Sequence, residues 1–144
     1  MKIILGYIGK PRDTHANAMA EEYIKRSGRF ATCEMREVRP LRFDPWAEFP
    51  SATRILLDPA GKNLDSAGFT GIVEKSQSDA RDLLFLIGGA GGLPDAWKQQ
   101  VSKQGSGMLL ALSPMTMPHE LARVILAEQI YRALTTLRGH PYPR

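Results

Sequence analysis

Asp82 to Pro94 reads DLLFLIGGAGGLP, an unbroken apolar run that gives way at once to glycines. A short apolar run bounded by turn residues fits a strand covered on both faces, and such strands belong to parallel sheets with helices above and below. Gly88, Gly89, Gly91 and Gly92 follow at its carboxyl end. Glycines there let a backbone approach a ligand closely and present N–H donors, but they serve equally as a tight chain reversal, and both readings stay open. The segment lacks the Gly-Lys-Ser/Thr ending of a phosphate loop and the G-x-G-x-x-G spacing of a dinucleotide site.

Outward from this junction, strands and helices alternate. Strands are predicted over residues 2–8, 32–38, 53–58 (TRILLD) and 107–112, and helices over 15–29, 66–75, 95–103 and 118–137. In the first helix Ala16, Met19, Ala20, Tyr23 and Ile24 recur at helical spacing while Glu21, Glu22, Lys25 and Arg26 take the other face. Pro40, Pro45 and Pro50 mark a loop anchored by Phe43, Trp46 and Phe49, and Pro59 to Lys62 reads as a turn. The expected fold class is α/β, a single domain over residues 1–144 with a mostly parallel sheet flanked by helices.

The composition, 43% hydrophobic and 24% charged, is that of a folding chain. A formal charge of +4 favours a polyanionic partner without establishing one. Cys33 is the single cysteine, which excludes an intrachain disulfide and a cysteine-built metal cluster, and a reducing, cytoplasmic setting fits. The first residues, MKIILGYIGKP, end too early in Gly9, Lys10 and Pro11 for a signal segment, and no apolar stretch approaches the roughly 20 residues of a membrane span. A soluble protein without a membrane partner is expected.

A second motif lies downstream. LSPMTMPHELARVILAEQIYRA, Leu112 to Ala133, feeds a proline-punctuated loop into a long helix. Free N–H groups and small hydroxyls at such a helix start suit an adenosine-containing ligand, whereas the bland alternative makes the methionines core filler. His119 at the helix start reads as a cap or packing residue. Arg123 and Glu128 are five positions apart and so are not one simple ion pair. Glu128 reads equally as a brace for a neighbouring loop and as a functional group. Tyr131, Arg132, Arg138 and the tail GHPYPR, Gly139 to Arg144, form a basic aromatic end suited to stacking a base, or else a tail tucked onto the core.

Taken together, these motifs resemble the RlmH group of SPOUT methyltransferases. The family pattern has a Gly-Gly-x-x-Gly loop, a Ser-x-x-Thr-x-Pro-His loop, an Arg and a Glu on the next helix, a Tyr-Arg pair and a terminal His-Pro-Tyr. Here these are Gly88, Gly89 and Gly92; Ser113, Thr116, Pro118 and His119; Arg123 and Glu128; Tyr131 and Arg132; and His140, Pro141 and Tyr142. The resemblance extends more weakly to the first strand and to ILLDPAGKNLDS, residues 55–66.

It implies a C-terminal trefoil knot over residues 82–144, a rare exception to unknotted chains. It also implies a homodimer, and S-adenosylmethionine (SAM) as cofactor, with no metal, for methylation of N3 of a pseudouridine in 23S rRNA of the large subunit or assembled ribosome. It assigns the cofactor to Leu57, Gly88, Gly89, Leu112, Ser113, Pro114, Met115, Thr116 and Met117, and the chemistry to His140, Tyr142 and Arg144. The base that takes the N3 proton stays open among His140, Glu128 and water. Pro143 stands where family members carry a histidine, and the stretch 40–53 is shorter than theirs. Two rival readings are a SPOUT-like SAM-binding protein with another RNA target or lost activity, and a non-enzymatic α/β RNA-binding module.

Overall fold

The structure is a computed structural model and describes residues 1–142. Its elements in chain order are β1 (Lys2–Tyr7), α1 (Thr14–Ser27), β2 (Thr32–Glu37), α2 (Pro45–Glu48), β3 (Thr53–Asn63), α3 (Ser66–Ser78), β4 (Leu83–Ile87), α4 (Asp95–Gln104), β5 (Gly107–Ala111) and α5 (His119–Leu137). The strands form one five-stranded sheet in the order β2-β1-β4-β3-β5, with every neighbouring pair parallel. The expected α/β sheet with covering helices is therefore present.

Alternation along the strands sorts the core into two layers. Leu83, Phe85 and Ile87 of β4 join Ile3, Leu5 and Tyr7 of β1 beneath α1, α3 and α5, with Phe69 of α3 stacked on Phe85 at 5.5 Å. Leu84 and Leu86 face the other way, with Ile4, Leu56, and Trp97 and Val101 of α4. All five residues of β4 are buried, as its unbroken apolar run requires.

Helix starts follow from short side chains that satisfy free N–H groups. Asp13 accepts from the Ala16 N–H at 2.9 Å, and Asp65 from the Gly68 N–H at 2.8 Å. The stretch read as a proline loop contains one helical turn, α2, because Asp44 caps it and Pro45 occupies its first position. Its aromatic anchors hold as expected: Phe43 lies 6.2 Å from Trp97, and the buried Arg54 donates to the carbonyls of Ala52 at 3.1 Å and Phe49 at 2.6 Å.

The predicted turn at Pro59 to Lys62 is instead an excursion within β3. Leu57 and Lys62 both pair with Leu110 of β5, so Asp58 to Gly61 loop out and the strand then resumes to Asn63. The excursion returns so close to β5 that a Cβ on Gly61 would stand 2.6 Å from the Leu109 backbone. Only glycine fits there.

Candidate functional site

In a parallel sheet with helices on both faces, loops converge at the carboxyl ends of the strands, where ligands bind. Here the ends of β4, β3 and β5 together bound a cleft of about 240 Å³. Leu57, Gly88, Gly89, Leu112, Ser113, Met115, Thr116 and Met117 all line it, so eight of the nine residues assigned to the cofactor converge from three separate stretches of chain. Pro114 is exposed and is not part of the lining.

The glycine loop is built by close approach. A Cβ on Gly88 would stand 2.4 Å from the backbone of Gly92. Gly92 has φ 76° and donates its N–H to the Gly89 carbonyl at 3.0 Å. The tight chain reversal is thus built from glycines that also line the cleft. In the second loop the Ser113 hydroxyl accepts the Met115 N–H at 2.9 Å, turning the chain toward α5.

Other lining residues lie outside the cofactor assignment. His119 and Ala122 sit one helical turn apart at the start of α5 and both line the cleft. A histidine at a helix start reads as a cap or packing residue, and its cleft position depends on how α5 meets the sheet. Asp58 follows Leu57 directly and lines the rim, with its carboxylate 2.8 Å from Lys98 Nζ of α4. That hydrogen bond holds the Asp58 carboxyl below its usual range and raises Lys98. No Lys or Arg lines the cleft among the described residues. Apolar walls, backbone polar groups and one carboxylate suit a neutral or cationic ligand with an aromatic part, and disfavour a polyphosphate.

The tail is elsewhere. Gly139, with φ 65°, ends α5, and the chain then folds back so that Tyr142 packs on Tyr131 with ring centroids 4.8 Å apart. The Tyr142 hydroxyl donates to the Glu128 carboxylate, which also takes Arg132 at 2.7 Å. Burial first, and then this hydrogen bond, push the Tyr142 phenol well above its usual range. His140 lies edge-on to Phe30 at 5.9 Å, and its Nδ1 accepts the Tyr142 N–H at 3.1 Å. Nine residues of α5 separate Ala122 from Tyr131, roughly 14 Å at a rise of about 1.5 Å per residue. His140 and Tyr142 are therefore not brought to the cleft of their own chain; the tail tucks onto the core, and Arg144 and Pro143 lie outside the described residues.

Glu128 and Arg123 are separated as their spacing requires, and neither lines the cleft. Glu128 braces the tail. Arg123 is fully buried, with its guanidinium 4.1 Å over the Tyr7 ring and donating to the Ile8 carbonyl at 3.1 Å. It ties α5 to the chain leaving β1, beside the glycine loop, where a Cβ on Gly89 would stand 3.0 Å from that same Ile8 oxygen.

Comparison with known proteins agrees with this geometry. A family model described as "Predicted SPOUT methyltransferase" matches residues 1–143. A protein of Solibacter usitatus named ribosomal RNA large subunit methyltransferase H is 56% identical over 144 residues, covering 100% of both chains. A protein of the same name from Sorangium cellulosum is 36% identical and covers 99% of each. Among solved structures, an RNA methyltransferase candidate from Bacillus anthracis aligns over 100% of both chains with a TM-score of 0.59 at 13% identity. A methyltransferase candidate from Legionella pneumophila, solved with bound SAM, aligns over 95% of this chain and 66% of that one with a TM-score of 0.53 at 16% identity. At such identities the structures bear on the fold alone.

Proposed function

The chain belongs to the SPOUT methyltransferases, alongside relatives named ribosomal RNA large subunit methyltransferase H, and from that premise we propose that it methylates N3 of a pseudouridine in 23S rRNA, with SAM as methyl donor. One observation carries the reading. The cleft joins apolar walls, close-packed glycine backbone and a carboxylate, with no Lys or Arg among its described lining residues. That environment fits an adenosine-containing sulfonium and does not fit a nucleoside polyphosphate.

When bound, SAM supplies a methyl group on a sulfonium that needs no activating metal. The residues of this chain would do the rest by position. Leu57, Leu112 and Met117 supply apolar surface for the base, while the Gly88–Gly92 reversal and the Ser113 turn leave backbone polar groups for its edges and the sugar. Asp58, fixed by Lys98, holds negative charge at the rim. Trefoil threading of the last segments belongs to this reading.

A homodimer belongs to it as well. Met115 and Leu121 are exposed apolar residues on the cleft loop and the first turns of α5, positioned for burial by a second copy. In that arrangement His140, Tyr142 and Arg144 of one protomer would serve the cleft of its partner. Glu128 is occupied by Arg132 and Tyr142, which favours His140 or water over Glu128 as the acceptor of the N3 proton.

The test is calorimetric titration with SAM and S-adenosylhomocysteine, repeated on Leu112→Trp, which fills the cleft from its wall. Binding by the native protein and its loss in the folded variant are expected. Methyl transfer to ribosomes from cells lacking this gene, with the modified nucleoside identified by mass, then tests the target. A folded protein that binds neither compound would overturn the reading and leave an RNA-binding module.

A further inference from the structure

We propose that the turn after β2, carrying Arg39 and Arg42, is an RNA-phosphate docking surface that continues the rim of the cleft through the turn after β1. This rests on the reading that ribosomal RNA is the substrate. Registers Tyr7–Glu37 and Tyr7–Ile87 place the ends of β2, β1 and β4 level with one another. The turn after β2 thus stands two strand spacings, about 10 Å, from the glycine loop. Lys10 and Arg12 leave β1 between them, and all four cations are exposed.

The charges along this edge are arranged asymmetrically. Four of its carboxylates are engaged within the fold: Asp13 caps α1, Asp44 caps α2, Asp58 holds Lys98, and Glu120 accepts the Arg12 N–H at 2.6 Å, while Glu37 at the end of β2 lies beside Arg39 and Arg42. Lys10, Arg12, Arg39 and Arg42 form no ion pair among the described residues, whereas Lys2, Arg26 and Lys75 elsewhere do. Four acids are thus turned inward onto N–H groups and Lys98, and Lys10, Arg12, Arg39 and Arg42 outweigh Glu37, which leaves net positive charge for an external anion.

The turn is also held in shape. The Arg42 N–H donates to the Arg39 carbonyl at 2.9 Å, and Phe43 anchors the next residue on Trp97. Leu41, fully exposed, projects between the two arginines. Arg36, Glu37, Arg39 and Arg42 border a hollow of about 300 Å³ that Val38 and Phe43 also line. A pair of unpaired guanidiniums carried on a held turn with an apolar tip fits a nucleic-acid backbone, with phosphates on the arginines and a ribose face on Leu41.

The experiment compares the native protein with Arg39→Ala/Arg42→Ala and Arg39→Lys/Arg42→Lys. Binding is measured across a salt series to ribosomes from cells lacking this gene and to deproteinised 23S rRNA. Removing two phosphate contacts should weaken binding to both probes at least tenfold and flatten the log–log salt slope by about 1.5. The lysine variant should keep most of the slope, and SAM affinity and Tm should not change. Unaltered affinity and slope would overturn the proposal. So would a loss confined to ribosomes with rRNA binding intact, which would assign the turn to a ribosomal protein. Methyl transfer by the native protein, read on the same ribosomes, fails only if the methylation reading fails, so the two are separable.

Discussion

At the scale of single residues, Glu120 is the clearest lever. Its carboxylate accepts backbone N–H groups from Arg12 and Asp13 and the Asn17 amide, and these hold its pKa at about 2, against 4.5 for a free glutamate. A depressed folded-state pKa adds stability that is present above the unfolded value and is lost as pH falls toward the folded one. Stability should therefore fall between about pH 4.5 and pH 2 as Glu120 protonates, and Glu120→Gln should lose this share already at neutral pH and show a flatter profile. Denaturant titrations across that window would check it. Tyr142→Phe removes the hydroxyl held by Glu128 but leaves the ring on Tyr131. If the tail serves the partner's cleft, ribosome methylation should drop about tenfold, the effect of one lost hydrogen bond of about 1.4 kcal/mol, with SAM affinity unchanged. Single-turnover methylation beside calorimetry separates the two effects.

Among the elements, α3 and α5 end in the same way but with different residues. Each closes on a Schellman motif: Arg81 donates to the Ser76 carbonyl at 2.9 Å and Ala80 to Gln77 at 3.2 Å, as His140 does to Thr135 at 3.0 Å and Gly139 to Thr136 at 3.2 Å. The left-handed position holds Gly139 in α5 but Ala80, at φ 53°, in α3. Ala80→Gly should relieve this strain and raise stability by about 0.5 kcal/mol after the greater freedom of glycine in the unfolded chain is subtracted. A shift of the denaturant midpoint at constant slope would show it. These elements also show what a sequence reveals. The strands and long helices were legible because periodicity and caps are local, as with Asp65, which caps α3. Ala80 concealed the true end of α3, since no glycine marked it. The excursion in β3 was hidden because its cause is β5, far along the chain, with Leu110 serving two partners.

For the molecule as a whole, the site was legible to the extent that its chemistry lies in contiguous motifs. The glycine and Ser-Pro-Met-Thr-Met loops were found from sequence, and all but Pro114 of the residues assigned to the cofactor line the cleft. Asp58, His119 and Ala122 were missed as lining residues because their role arises only from packing α4 and α5 against the sheet. A cofactor seated among so many elements should stabilise all of them. At a hundredfold excess over Kd it should add about 2.7 kcal/mol. That corresponds to a rise in Tm of roughly 8 °C for a domain of this size, absent in Leu112→Trp, and scanning fluorimetry would measure it. The excursion of β3 carries one more consequence. Its four residues leave and rejoin the sheet against a single residue of β5, so the ring is closed at both ends while its first two residues, Asp58 and Pro59, line the cleft. In deuterium exchange, one strand should then keep two clocks, with a fast one for the amide of Gly61 between slow ones at Leu56 and Lys62. Occupancy of the cleft would be timed by the fast clock alone.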